Sequence, residues 1–74
     1  MTDRIVYASH IIDCHIRNLQ ALLANAKKLA TTACEHLRHN ERSAAVGASV
    51  PIEDLLAAAT ATHAVILLLN QQRG

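Results

Sequence analysis

The sequence predicts an all-α protein: a two-helix antiparallel hairpin that dimerises to a four-helix bundle. Three observations carry this. Apolar residues recur at alternating steps of three and four, which is the spacing of a helix stripe packed on another helix. The chain has 1 Tyr, no Phe and no Trp, with only 2 Gly and 1 Pro, so its core must be Leu, Ile and Ala packed between long helices. Finally, one stretch of the second helix is apolar on every side, which a two-helix monomer cannot cover.

The whole chain, 74 residues, reads as a single domain. So short a chain buries a modest fraction of its surface and needs disulfides, a metal or oligomerisation to reinforce it. Its 2 cysteines, Cys14 and Cys34, are too few for a disulfide framework. In one helix they lie about 30 Å apart at about 1.5 Å rise per residue, so they cannot bridge within the chain. Free thiols fit a reducing compartment, and the cytoplasm is the expected location. The opening Asp3 and Arg4 do not read as a secretory leader. The longest uninterrupted apolar stretch, Ala64 to Leu69, is far short of the ~20 residues that span a bilayer. No membrane association is expected.

The first helix is placed at about residues 3–40. Ile12, Ile16, Leu19, Leu23, Ala26, Ala30, Ala33 and Leu37 form its stripe, which extends backwards to Ser9 and Ile5. A flanking row of Ala8, His15, Leu22, Leu29 and His36 widens it. The opposite face carries Arg17, Asn18, Asn25, Lys28, Thr31, Thr32, Glu35 and Arg38. Thr2 or Asp3 is the expected N-cap. The small-residue run Ser43–Ser49 around Gly47 predicts a loop at about 41–50. Pro51 suits a first helical turn, and Glu53 and Asp54 place negative charge at the positive end of a helix dipole. These start a second helix at about 51–72, with a stripe of Ile52, Leu55, Ala59, Thr62, Ile66 and Leu69. Burying a Leu or Ile side chain is worth roughly 1.5–3 kcal/mol, so leaving the Ala64–Leu69 segment open would forfeit much of a small protein's stability. The oligomer interface is therefore expected at Ile12, Ile16, Leu19, Leu23, His63, Ile66 and Leu69. The first helix's stripe packs on the second helix, and Ala64–Leu69 packs across the two-fold axis or against a client.

The polar residues point to no reaction. Of the 5 His, His10 and Cys14 share a helix face, and His36 and His39 lie near Cys34. Neither group closes a four-ligand site, so local hydrogen bonding and solvent exposure are the preferred reading, and no metal or cofactor is expected. His63, beside Thr60 and Thr62, suits a register-setting or edge position better than a binding cleft. Cys34 reads as a small hydrophobe beside the stripe, and Cys14 as an outer-face thiol. A catalytic triad needs a preorganised pocket and an oxyanion hole, which two helices with no Gly-rich turn do not offer, so no enzyme is expected. Net charge is +1, which gives no electrostatic case for nucleic acid. Arg17, Lys28 and Arg38 lie on the outer face of the first helix, but Asp13 and Glu35 dilute them and no aromatic is there for base stacking.

The two-helix layout with a short break resembles the plasmid copy-control RNA-binding hairpins, which dimerise antiparallel into four-helix bundles. This resemblance is architectural and carries no RNA-contacting residue onto this sequence. The size, layout and Ala/Leu-rich character also resemble small helical anti-activators encoded by phages and prophages, which bind and disable a host transcriptional regulator. That likeness implies a homodimeric, non-enzymatic regulator that binds an unidentified protein partner. The outer face of the first helix, at Arg17, Lys28 and Arg38, supplies the candidate contacts for such a partner. An RNA-binding hairpin and a metal-binding helical protein are the alternatives.

Overall fold

The computed structural model describes residues 2–73, with side chains described for 9–72. The Thr2 or Asp3 cap and the stripe's extension through Ile5 and Ala8 fall on side chains outside the described residues. Every regular element among the described residues is helical: α1 (Thr2–Arg38), α2 (Arg42–Ser49) and α3 (Ile52–Arg73). α1 packs against both α2 and α3, so the chain folds back on itself as a helical hairpin. Its first arm is α1 and its second arm is α2 followed by α3. The backbone measures 59 × 14 × 12 Å, the width of two helices side by side.

The fold-back is sharp because of Asn40. Its φ of 60° is left-handed, a conformation Asn adopts more readily than most residues. The Glu41 N–H donates to the His36 carbonyl at 2.9 Å, and the Asn40 N–H donates to the Leu37 carbonyl at 3.0 Å. This bond pair is the Schellman arrangement, which satisfies carbonyls that a helix end otherwise leaves open. Glu41 then starts α2, its carbonyl accepting from the Ala45 N–H at 3.0 Å.

Residues 41–50 are therefore not the expected loop, because Arg42–Ser49 is helical. Gly47 does not break the helix: no glycine among the described residues has positive φ, and a Cβ at Gly47 would meet nothing within 4 Å. Glycine weakens a helix by about 1 kcal/mol relative to alanine, which packing on α1 outweighs here. The real interruption is Pro51, which has no N–H to give. The Gly47 carbonyl instead accepts from the Val50 N–H at 3.3 Å, closing α2 one residue early. α3 begins immediately after, with Glu53 and Asp54 in its first turn as the sequence implied.

The seam between the arms keeps its step across this break. On the second arm the buried or half-buried positions are Ala45, Ala48, Ile52, Leu55, Ala59, Thr62, Ile66 and Leu69, with Ser49 at their edge. From Ile52 onward this is the expected stripe. On α1 the inward column is Ile12, His15, Leu19, Leu22, Ala26, Leu29, Ala33 and His36. This corrects the expected stripe of the first helix. Ile12, Leu19, Ala26 and Ala33 do face inward, but His15, Leu22, Leu29 and His36 complete the seam. Ile16, Leu23 and Leu37 are 49%, 46% and 52% exposed. The physical reason is width: α1's stripe is three columns wide, and one partner helix covers two.

Counting back from the turn at about 1.5 Å rise per residue in both arms sets His36 level with Ala45, and Leu22 level with Ala59. The same count sets Ala26 level with Leu55 and Ile12 level with Leu69. At the Leu22–Ala59 and Ala26–Leu55 layers a large residue faces a small one, which permits close approach there. The fully packed part is nonetheless thin. Among the described residues only Ile12, Ala45 and Ala59 are buried, and no large side chain is completely enclosed. Thr62, half-buried in the seam, satisfies its hydroxyl by donating to the Ala58 carbonyl at 2.8 Å.

Candidate interaction surface

Among the described residues nine large apolar side chains stand exposed: Ile16, Leu23, Leu37, Val46, Val50, Leu56, Val65, Leu67 and Leu68. Their distribution is uneven. Ile16, Leu23 and Leu37 lie four residues beyond the seam positions Ile12, Leu19 and Ala33, in a column completed by Ala30. Leu56 lies four residues beyond Ile52, in a column with Ser49, His63 and Asn70. When helices run antiparallel, columns at the same heptad offset border the same broad face. Val46 and Leu67 sit one residue beyond the seam positions Ala45 and Ile66, on that side too. Six of the nine therefore share one face. The opposite face is edged by Asn18, Asn25 and Thr32 of α1 and by Ala58, Val65 and Gln72 of α3. Its apolar content is concentrated at the free end, in Val65 and Leu68. Val50 points away at the outer edge of the second arm.

The grooves among the described residues are shallow and open. One groove is lined by Ile16, Leu19, Gln20, Leu23, Ala24 and Lys27. A second runs along the back of α1 past Ala24, Lys27, Lys28, Thr31, Thr32 and Glu35. A third lies at the turn, by Leu37, Asn40 and Arg42. None holds converging nucleophile, base and oxyanion donor. Among the described residues no group of three or more His, Cys, Asp or Glu is placed to hold a metal ion.

The residues singled out from the sequence divide between seam and surface. Ile12, Leu19, Ile66 and Leu69 lie in the seam within the hairpin, so they hold the two arms together. Ile16, Leu23 and His63 are exposed and remain free for another molecule. Arg17, Lys28 and Arg38 are all exposed on α1. Arg17 and Arg38 share its outermost column about 30 Å apart, and Lys28 lies beside Glu35 rather than beside either arginine. They do not form a cluster. Cys14 and Cys34 are both free and exposed, which corrects the expectation that Cys34 packs beside the stripe. His15 and His36 are half-buried at the two ends of the seam. The His36 Nδ1 lies 3.5 Å from the Glu41 carboxylate, an exposed contact that stabilises little.

One feature escapes a count of uninterrupted apolar residues. Between Leu55 and Gln72 there is no Asp, Glu, Lys or Arg. By length and composition, the stretch Arg42–Gln72 is apolar enough to cross a membrane, with a best 18-residue mean hydropathy of 1.6 and 11% of that window buried. Alanines and threonines carry the window where Ala64–Leu69 alone falls short. A sliding sum of hydropathy would have found it.

Comparison with protein-family models, with curated proteins and with solved structures finds no significant match.

Proposed function

We propose that this chain is a small non-enzymatic regulator that works as a homodimeric four-helix bundle and acts by occupying a surface of another protein, with a host transcriptional regulator as the expected client. The observation that carries this reading is the exposure of the large apolar side chains. Among the described residues nine of them stand in solvent, and the grooves there are open rather than enclosed. Apolar surface of this extent on a small chain marks an interaction site. Arg17, Lys28 and Arg38 stand on the outer side of α1, away from the apolar face. They would stay accessible to the client after the chain dimerises. The reading places the protein in the cytoplasm.

Sedimentation of the purified chain at micromolar concentration tests the assembly; a folded monomer would sink it. The client reading is tested by affinity capture from the native host, with wild type beside an Arg17→Ala/Lys28→Ala/Arg38→Ala variant. A protein held by the wild type and released by the variant supports the reading. Recovery of RNA, lost steeply as salt rises, would instead favour a copy-control type of activity.

A further inference from the structure

We infer that the face bearing Ile16, Leu23, Leu37, Val46, Leu56 and Leu67 is covered by a second copy of this chain, laid across it with the turns at opposite ends and Leu23 and Leu56 on the two-fold axis. This rests on the proposed homodimer and specifies its surface and geometry.

Area supports a second hairpin as the occupant. The arms run side by side over the length of the second arm, about 48 Å, and two helices with side chains are about 20 Å wide. The face therefore offers about 900 Å² per copy, against about 800 Å² per partner in a standard stable interface. An identical hairpin matches its length end to end.

Periodicity supports the same occupant. The exposed column repeats every seven residues, as the seam does, so it meets another helix by the same knobs-into-holes packing. Counting from the turn sets Leu23 within about 3 Å of the level of Leu56, Ile16 within the same distance of His63, and Ala30 within the same distance of Ser49. The face thus has a leucine layer at its centre, a bulky layer on one side and a small layer on the other.

A two-fold axis perpendicular to the long axis sets the Ile16–His63 layer of one copy on the Ala30–Ser49 layer of its partner. Bulk then meets space twice, as a self-complementary interface requires. The other possible axis, parallel to the helices, brings bulky layers together and leaves the small layers facing a void, so packing selects the first.

Lipid fits this face less well. His63, Asn70 and Ser49 lie in its columns, and Asp13 and Lys27 of α1 border it. Ionisable side chains are costly to place in hydrocarbon, whereas a bundle leaves them at its wet edges.

The test uses the full chain with Cys14→Ser and Cys34→Ser, carrying either Leu23→Cys or, on the opposite face, Val65→Cys. Mild oxidation is expected to link the Leu23→Cys protein to its own copy in high yield and the Val65→Cys protein at least about tenfold less. Linkage through position 65 instead, or only in a mixture of Leu23→Cys and Leu56→Cys chains, overturns the proposed face or axis. In parallel, Leu23→Glu with Leu56→Glu is expected to raise the dimer dissociation constant by more than about 100-fold, and Val65→Glu with Leu68→Glu by less than about threefold. A wild-type dimer that responds the other way leaves homodimerisation standing and removes this face from it. A wild-type monomer in buffer removes both; if it also floats with phosphatidylcholine vesicles, lipid is the occupant.

Discussion

The two arms of the hairpin reach the same length by different means. α1 runs through 37 residues without interruption and carries charge along its back, at Asp13, Arg17, Lys27, Lys28, Glu35 and Arg38. Those charges indicate which side faces water. The second arm is broken at Pro51 and has no charged residue from Leu55 to Gln72. No charge marks which of Leu55, Leu56, Leu67, Leu68 or Leu69 should be inside, and only the three-and-four step singles out Leu55 and Leu69. Those two lie half-buried in the seam, while Leu56, Leu67 and Leu68 lie outside. Charge marks the wet side of α1 but leaves its wide apolar stripe undivided, whereas the narrower stripe of the second arm is read from its step alone.

The sharpest way to break this contrast is within the second arm, between two adjacent alanines. Ala59 is 6% exposed and level with Leu22, while Ala58 is exposed. Ala59→Asp should cost at least about 3 kcal/mol, enough to unfold a marginal hairpin, because a carboxylate would be buried unpaired. Ala58→Asp should stay within about 0.5 kcal/mol. Urea unfolding followed by circular dichroism at one fixed concentration measures both. Equal losses would mean the arm has no preferred face.

A smaller effect separates two isoleucines one turn apart on α1. Ile12→Ala removes a side chain that is 8% exposed and should destabilise by about 2–3 kcal/mol. Ile16→Ala, at a half-exposed site, should change unfolding of the dilute chain by less than about 1 kcal/mol. Thermal melts at low concentration compare them directly.

The turn is sensitive to a third change. Asn40→Val places a β-branched residue in a left-handed conformation and should cost about 1–2 kcal/mol, whereas Asn40→Gly should be neutral or slightly stabilising. The order of their melting temperatures is the readout, and Asn40→Val melting at or above Asn40→Gly contradicts the assignment of the turn.

The smallest effect is a gain. Gly47 lies in a helix, with open space where a Cβ would go, so Gly47→Ala should stabilise by about 0.5–1 kcal/mol. A loss of stability would show that residues 42–49 are not held as a helix.

Much of this architecture can be read in the sequence. The step of three and four along Ile52, Leu55, Ala59, Thr62, Ile66 and Leu69 identified the second arm's inner face, because a single column pair is apolar there through Thr62. Pro51 with Glu53 and Asp54 marked where α3 begins. The first arm was less legible. Ile12, Leu19, Ala26 and Ala33 can be joined by either neighbouring column with equal apolar character, and only the partner's position decides between them. Helix α2 was hidden because Gly47 and its small neighbours look like a loop when read locally. Its stability comes from packing Ala45 on α1, which local propensity does not contain. Asn40 was the available signal for the turn, since Asn is among the few residues that enter the left-handed region readily.

A seam of Leu, Ile and Ala has little to stop the two arms sliding past each other, because one apolar contact replaces another at similar energy. The one histidine–carboxylate contact among the described residues, His36 with Glu41, sits at the turn itself. A slide of one heptad would set Leu22 beside Ile52 and Ala26 beside Ala48, the same kinds of layer as Leu29 on Ile52 and Ala33 on Ala48 in the present register, so packing opposes it little. The three-residue link between α1 and α2 would have to be pulled nearly straight, losing the turn bonds of Asn40 and Glu41, to permit that displacement. It acts as the zero mark of a ruler, from which every layer along the hairpin takes its place.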